Sequence, residues 1–264
     1  MRRPWVWPLM RWVSRLFGRR TYPSILTLRP FGLGACRFVV SNDVERYRVQ
    51  DLGGERMFLR AILSELRPGD VFFDGGACVG VATILAAKRG AQVVAFEPDP
   101  SFRRRLEENL KLNDLGHVKV IDWALSDTSG EETLFSDGLE GNSPSLRAVS
   151  SRTMTVAVTT RALDAAVSSG ELPYPTVIKL DVEGAEVAAL RGMRDLLRSL
   201  QAPRAIFLET HPGFLPHFEA TEQEALDLII SSGYVEAFRR ARQREIHYLF
   251  RRSPTPIQSE GLNL

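Results

Sequence analysis

The stretch "VFFDGGACVGVATILAAKRGAQVVAFEPDP" at residues 71–100 decides the fold. An apolar strand runs into a glycine turn, a helix follows the turn, and a second apolar strand ends in Glu97. The segments that follow continue to alternate between strand and helix as far as about residue 210. This alternation predicts an α/β fold in which a doubly wound, mostly parallel sheet carries helices on both faces.

The glycine turn at residues 74–80 is the first candidate for a binding site. In an open parallel sheet, ligands bind beyond the carboxyl ends of the strands, and the first strand-to-helix turn forms one wall of that crevice. Glycine lets a ligand approach the backbone, and an acid that ends the next strand accepts hydrogen bonds from ribose hydroxyls. Glu97 occupies that place, so the pattern predicts a nucleoside ligand.

The turn does not carry the dinucleotide fingerprint G-x-G-x-x-G. A match framed by Gly75 and Gly80 would need glycine where Ala77 stands, and the register that begins at Gly76 also fails. The turn reads D-x-G-x-x-x-G instead, which suits the amino-acid half of a ligand such as S-adenosylmethionine. The sulfonium of that ligand is cationic, and Asp74 fits a cation better than a phosphate.

A second motif, "TVIKLDVEGAE" at residues 176–186, places charges in a strand whose apolar residues predict burial on both faces. A period of two points Lys179, Asp181 and Glu183 to one face. Buried charges are costly unless they are paired or used, so the trio is either an ion-paired strand end or part of a site. Glu186 follows in the first turn of a helix, where a negative charge is favoured in any case.

A histidine follows the next strand, in "FLETHPG" at residues 207–213. Glu209 and His211 are two residues apart, and they meet Asp181 at the same end of the sheet if the two strands are neighbours. His211 is therefore a candidate general base, although a structural histidine explains the pattern as well. The other histidines lie in no comparable motif and receive no role: His117, His217 and His247.

Composition narrows the class of protein. The chain has 264 residues and only two cysteines, which exclude a disulfide framework and a four-ligand zinc site. The first 20 residues hold six arginines and no acid, so the remainder has a slight acidic excess. We therefore expect a cytoplasmic protein that does not bind nucleic acid.

The basic N-terminus, "MRRPWVWPLMRWVSRLFGRR", has the pattern of a cationic amphipathic helix. Such a helix lies on an anionic membrane surface, so residues 5–20 are a candidate for peripheral contact with the inner face of a membrane. A helix that packs on its own domain or on a partner explains the pattern equally well.

The motifs resemble the FkbM family of S-adenosylmethionine-dependent methyltransferases over about residues 35–250. The most specific motif is "IKLDVEGAE" at 178–186, and others are "GGE" at 53–55, "PGDVFFDGGACVG" at 68–80, "AFEPDP" at 95–100 and "LETH" at 208–211. The resemblance implies a Rossmann-like class I methyltransferase fold, a seven-stranded sheet with an antiparallel last strand. It divides the chain into a basic extension at 1–34, the methyltransferase domain at 35–252 and a flexible tail at 253–264.

The resemblance also implies S-adenosylmethionine as the cofactor. The predicted cofactor-binding residues lie in the turn, after the second strand and beside adenine: Asp74, Gly76, Ala77, Gly80, Glu97, Pro98, Asp122 and Ala124. The family turn usually has asparagine where this chain has Cys78, which concerns one side-chain contact to the cofactor and not the backbone turn.

Methyl transfer from a sulfonium is an in-line displacement, so positioning of the acceptor supplies much of the acceleration. We expect His211 or Asp181 to take the proton of an acceptor hydroxyl, with Glu183 and Lys179 shaping the polar pocket. A divalent metal held by Asp181, Glu209 and His211 is an alternative that oxygen and imidazole ligands allow, although we expect no metal.

The family implies O-methylation of a hydroxyl on a sugar, a glycolipid or a polyketide-type metabolite. "LPYPT" at residues 172–176 does not match the D/N-P-P-Y/F sites that methylate exocyclic amino groups of bases. An RNA or protein methyltransferase and a catalytically silent scaffold at a membrane are the alternatives. We expect the loop at 126–152 and the first 50 residues to form the walls of the acceptor site.

Overall fold

The structure is a computed structural model that describes residues 21–141, 143–149, 154–242 and 244–253. The predicted N-terminal helix, its membrane contact through residues 5–20 and nearly all of the predicted tail lie outside these residues. Within the described ranges, no helix combines the length and the apolar character that a membrane span requires.

The described residues form twelve strands and eight α-helices. The strands are β1 Ser24–Leu28, β2 Cys36–Val40, β3 Val71–Gly75, β4 Gln92–Phe96, β5 Lys119–Ile121, β6 Ala124–Leu125, β7 Gly130–Ser136, β8 Met154–Arg161, β9 Val177–Leu180, β10 Ala205–Thr210, β11 Tyr234–Ala241 and β12 Ile246–Arg252. The helices are α1 Asp43–Gln50, α2 Arg56–Glu65, α3 Val81–Lys88, α4 Pro100–Leu112, α5 Leu163–Ser168, α6 Glu186–Arg191, α7 Arg194–Arg198 and α8 Glu222–Ile230.

Seven strands form the central sheet, in the order β11-β12-β10-β9-β3-β4-β5. The strands from β10 to β5 are parallel, and β12 runs antiparallel to both of its neighbours. This order confirms the predicted Rossmann-like sheet with an antiparallel last strand.

The core lies on both faces of this sheet. In β3, Phe72 packs into one hydrophobic cluster and Phe73 into the other, and Val177 and Ile178 of β9 divide in the same way. Alternate residues of a central strand thus enter opposite cores, which is why neighbouring residues such as Phe72 and Phe73, or Val177 and Ile178, are both apolar.

The order of the strands creates a crevice between β3 and β9, because the chain builds the sheet outward from β3 in both directions. Gly75 pairs with Leu180, so the glycine turn and the residues after β9 emerge side by side. A Cβ atom at Gly76 would overlap the carbonyl oxygen of Asp181, so only glycine fits at this approach.

The N-terminal part of the described chain forms a hairpin and a helix before the central sheet. β1 pairs with β2, and residue 34, the predicted domain boundary, lies between these two strands. After β2 the chain forms α1. Asn42 caps this helix, because its side-chain oxygen accepts the Glu45 N–H at 2.8 Å.

One later segment departs from the prediction. The helix expected after Gly184 is split into α6 and α7 beside Gly192, where a Cβ atom would overlap the carbonyl oxygen of Ser126. In residues 126–152 the sequence predicts a strand followed by a long loop, and the strand is β7, which pairs with β8 and forms a second sheet of three strands with β6. This sheet carries the connection after β7 to the mouth of the crevice.

Candidate active site

Three clefts meet at the carboxyl ends of β3, β4 and β9. The walls of the aromatic cleft include Phe96, Glu97, Pro98, Trp123, Leu125 and Leu146. Those of the turn cleft include Arg48, Glu55, Gly76, Ala77, Cys78 and Lys179. Those of the wide cleft, which has a volume of about 830 Å³, include Tyr47, Glu183, Glu209, His211, Arg242 and Arg244. Asp181 and Ser143 line all three clefts, so Asp181 stands where they join.

The glycine turn holds the carboxylate of Glu97 in the wall of the aromatic cleft. The backbone N–H of Cys78 donates to Oε2 at 2.8 Å, and that of Asp99 donates to Oε1 at 3.0 Å. Burial raises the pKa of Glu97 to about 8, although both amides oppose the rise. Each carboxylate oxygen accepts more than one hydrogen bond, so Glu97 keeps acceptor capacity for a ligand.

Cys78 adopts a left-handed backbone conformation, with φ of +53°, in the middle of the turn. Burial raises the pKa of its thiol to about 12. The side chain is therefore a neutral thiol at physiological pH and does not act as a nucleophile.

Lys179 ties the turn to the end of β9. Its Nζ lies 3.2 Å from Asp74 Oδ1 and 3.2 Å from Asp181 Oδ2, and it donates to the carbonyl oxygen of Gly76 at 3.2 Å. Burial opposes its charge, but the carboxylates of Asp181 and Asp74 outweigh burial and hold the pKa of Lys179 above its ordinary value. Lys179 is thus a fixed cation that positions Asp181.

The structure brings five of the predicted cofactor-binding residues into the clefts. They line the aromatic cleft, the turn cleft or both: Gly76, Ala77, Glu97, Pro98 and Ala124. The other three lie elsewhere. Asp74 is fully buried and accepts the Thr83 hydroxyl at 2.6 Å, Gly80 leaves room for Leu106, and Asp122 is exposed.

Lys179, Asp181 and Glu183 line the clefts, but they do not all lie on one strand as predicted. β9 ends at Leu180, so Asp181 and Glu183 follow the strand, and the expectation that its period of two extends to Glu183 was wrong. Glu183 has a φ of +52°, which turns the chain at this point. Both carboxylates still face His211, whose Nε2 lies 3.8 Å from Asp181 Oδ1 and 3.7 Å from Glu183 Oε2.

His211 follows β10, which is the parallel neighbour of β9, as the sequence analysis required. Its Nδ1 lies 2.7 Å from Oε1 of the buried Glu186, and its ring stacks on Phe214 with 5.6 Å between centroids. An ionised carboxylate only accepts hydrogen bonds, so Nδ1 carries a proton and Nε2 is directed to the carboxylates. Glu186 is therefore the residue that orients the imidazole, in addition to beginning α6.

The charges around His211 favour the protonated form of the imidazole in the free protein. Burial lowers the pKa of His211, but the hydrogen bond to Glu186 and the charges of Glu183 and Asp181 outweigh burial and raise it well above its usual value. A positive charge bound near Asp181 would counteract these carboxylates and favour loss of the proton.

His247 is the one histidine of this region that the sequence patterns gave no role. Its Nε2 lies 2.7 Å from Glu209 Oε2, and its ring stacks on Phe58 at 4.1 Å. Burial raises the pKa of Glu209 well above its usual value and lowers the pKa of His247 to about 4. Both shifts favour the uncharged forms of the two side chains. His247 lies on β12, far from Glu209 and His211 along the chain, so no local sequence motif predicts its contact with Glu209.

The residues that could hold a metal ion differ in one position from the predicted set of Asp181, Glu209 and His211. Donor atoms of Asp181, Glu183 and His211 lie within 4.8 Å of one another, so Glu183 stands where Glu209 was expected. Carboxylate and imidazole donors suit Mg²⁺ or Mn²⁺. The expectation of no metal stays a prediction.

Sequence comparison places this site in a known context. The "Methyltransferase FkbM domain" matches residues 74–238. A hexuronic acid methyltransferase of Haloferax volcanii, AglP, is 32% identical over 208 residues, which cover 79% of this chain and 82% of AglP.

The chain is similar to two solved methyltransferase structures of low sequence identity. The crystal structure of methyltransferase FkbM from Methylobacillus flagellatus KT has a TM-score of 0.49 and 15% identity, over 79% of this chain and 56% of that one. Magnesium protoporphyrin IX methyltransferase (ChlM) from Synechocystis PCC 6803 also has a TM-score of 0.49, with 13% identity, over 93% of this chain and 91% of that one.

Proposed function

This chain belongs to the FkbM family of S-adenosylmethionine-dependent methyltransferases, and we propose that it transfers the methyl group to a hydroxyl of a sugar or glycan. The observation that carries the proposal is the position of Asp181, which lines the aromatic, turn and wide clefts together. A site for group transfer needs a junction of this kind, where the donor and the acceptor meet.

The chemistry of the lining residues fits the donor. The aromatic cleft offers apolar and aromatic walls for adenine, with Trp123 packed edge-on against Phe96 at 5.1 Å between centroids. Glu97 offers a fixed carboxylate to ribose hydroxyls, and the carboxylate of Asp181 favours a cationic sulfur at the junction. When bound, S-adenosylmethionine supplies an electrophilic methyl group on that sulfur.

The residues beside the junction handle the proton of the acceptor. Glu186 holds the Nδ1 proton of His211, so Nε2 is the atom that receives a proton from an acceptor hydroxyl in the wide cleft. Positive charge beside Asp181 favours neutral His211, because the carboxylates then have another cation to stabilise. Lys179 keeps Asp181 in place throughout.

The wide cleft supports a sugar as the acceptor. Its walls carry charged side chains, among them Glu209, Arg242, Arg244 and Glu245, which suit a polyhydroxylated ligand better than an apolar polyketide. The similarity to a hexuronic acid methyltransferase points the same way. An acceptor that contains a hexuronic acid is therefore the first one to test.

The test is incubation of the full chain with S-adenosylmethionine and a panel of hexuronic-acid-containing and neutral oligosaccharides, followed by mass spectrometry. We expect a gain of one CH₂ that survives mild alkali, since a methyl ether is stable where a methyl ester is cleaved. An alkali-labile product would move the reaction to a carboxyl group. Methylation of RNA or protein alone would overturn the proposal, and absence of cofactor binding would indicate the silent scaffold.

A further inference from the structure

The turn cleft contains two opposite charges that are not paired with each other. Four charged residues line it: Arg48, Glu55, Lys179 and Asp181. Lys179 and Asp181 form an ion pair, with 3.2 Å between Nζ and Oδ2. Arg48 and Glu55 are therefore the charges in this cleft that no other residue lining it pairs with.

Arg48 presents a guanidinium that is held by neutral groups. Its Nη1 donates to the carbonyl oxygen of Leu139 at 3.3 Å, its Nη2 donates to that of Gly141 at 2.6 Å, and its Cζ lies 5.1 Å from the centre of the Phe102 ring. Within the described part of the chain, Arg48 forms no ion pair. A guanidinium has five N–H donors, so it is oriented here and still has donors for an anion.

The guanidinium lies beside the glycine turn. Burial raises the pKa of the Cys78 thiol, and the positive charge of Arg48 is the largest influence that opposes this rise. An anionic group in the turn cleft therefore meets both Arg48 and the backbone of the turn.

Glu55 lies on the negative side of the same cleft. Its closest cation is Arg242, whose Nη1 lies 3.6 Å from Oε1. Burial and then the charges of Glu209 and Asp181 raise the pKa of Glu55, so the ionised form of Glu55 is repelled by neighbouring carboxylates. A cationic group that binds among them relieves this repulsion.

The backbone before Glu55 is constrained to present it. Leu52, Gly53 and Gly54 all have left-handed conformations, with φ of +51°, +63° and +79°. This conformation is unfavourable for Leu52, and such backbone strain is concentrated at functional sites.

We propose that Arg48 binds the α-carboxylate and Glu55 binds the α-ammonium of the amino-acid arm of S-adenosylmethionine. Both residues lie in the segment from α1 to α2, before residue 74 where the matched domain begins, and Glu55 ends the GGE motif at residues 53–55. The proposal concerns the donor alone and holds for any class of acceptor.

Calorimetry on the full chain tests it without an acceptor. The probes are S-adenosylhomocysteine, which has the amino-acid arm, and methylthioadenosine, which lacks it. We expect Arg48→Gln and Glu55→Gln each to weaken binding of S-adenosylhomocysteine by about tenfold or more, and to change binding of methylthioadenosine by less than about twofold. Arg56→Gln is the matched control, because Arg56 lies next to Glu55 but packs over Phe31, and it should change neither affinity.

A second pair of probes separates lost contacts from damage to the loops that Arg48 supports. Wild-type protein should bind S-adenosylmethionine more tightly than its decarboxylated form, and Arg48→Gln should bind the two forms about equally. Equal loss of both adenosine probes in the variants would overturn the proposal. So would unchanged affinity for S-adenosylhomocysteine, which would assign these residues to the acceptor side of the cleft.

Discussion

The glycine turn and the cluster around His211 are built in opposite ways. In the turn, the backbone satisfies the key side chain, since two N–H groups from nearby residues hold Glu97. Around His211, side chains from separate elements face one another: Asp181 and Glu183 after β9, Glu186 from α6 and Glu209 from β10. The turn is therefore complete in the free protein, whereas the His211 cluster has an excess of negative charge that a bound cation would balance.

The strongest way to separate the two regions is to remove the imidazole. His211→Gln should lower the turnover by about 10²–10⁴-fold, the usual contribution of a general base, because Nε2 would no longer receive the acceptor proton. The affinity for S-adenosylhomocysteine should change little, since the turn and Glu97 are untouched. Steady-state kinetics and calorimetry measure the two effects.

The matched control for this variant is His217→Gln, since His217 is exposed and is not among the residues that line the three clefts. It should retain wild-type turnover. Parallel loss of turnover and cofactor affinity in His211→Gln would show that the glycine turn and the His211 cluster do not act independently.

Removing the carboxylate of the turn should have the reverse effect. Glu97→Ala should weaken cofactor binding by about 1–3 kcal/mol, because the hydrogen bonds between Glu97 and the cofactor are lost and two amides are left without their acceptor. Once the cofactor is saturating, turnover should fall far less than in His211→Gln. Unchanged affinity in calorimetry would remove Glu97 from the ribose site.

The glycine turn is easier to predict from the sequence than the His211 cluster, because its residues are close together along the chain. The turn is contiguous, so Gly76, Ala77 and Glu97 were assigned to the cofactor crevice from their spacing along two strands and from the family resemblance. The buried parallel strands were equally accessible, because burial on both faces leaves adjacent apolar residues in β3, β9 and β10, although Lys179 interrupts them in β9.

The His211 cluster was only half visible, because its members are distant along the chain. Asp181 and His211 stood out as charges at strand ends, but Glu186 looked like an ordinary helix start and His247 had no motif. Asp74 and Gly80 belong to the motif but do not line the clefts. Asp74 contacts Thr83 and Lys179, and Gly80 makes room for Leu106, so their role at the cofactor stays a prediction.

The pH dependence of stability tests whether Glu97 is buried and protonated in the folded protein. Burial raises the pKa of Glu97 to about 8 in the folded protein, above the ordinary carboxyl value of 4.5. The folded chain then binds the Glu97 proton more tightly than the unfolded chain does. The stabilisation that results is complete below about pH 4.5 and is lost as the pH rises to about 8. Relative to Glu97→Gln, the wild type should lose about 1 kcal/mol of unfolding free energy per pH unit in this window.

Urea unfolding of both proteins at several pH values measures this difference. The gap should level off above about pH 8, since Glu97 is then ionised in both states. A gap that does not change with pH would mean that Glu97 is ionised throughout, as expected for a solvated carboxylate.

The smallest predicted effect concerns the one residue of the turn that differs from the usual family pattern. Cys78 has a φ of +53°, a conformation that asparagine adopts more readily than most side chains. Cys78→Asn should therefore raise the unfolding free energy by up to about 1 kcal/mol. Glu219→Asn is the matched control, because Glu219 has a φ of +54° and is exposed, away from the residues that line the clefts.

The comparison of these two variants by thermal and urea unfolding reports on what the Cys78 side chain faces. Both should gain stability if the new amide at position 78 points into open ligand space, where water satisfies it until the cofactor binds. If Glu219→Asn gains and Cys78→Asn loses, the amide has been placed in a closed apolar environment, where an unsatisfied polar group is costly. The turn would then be a packed corner at this position rather than a wall of the cofactor site.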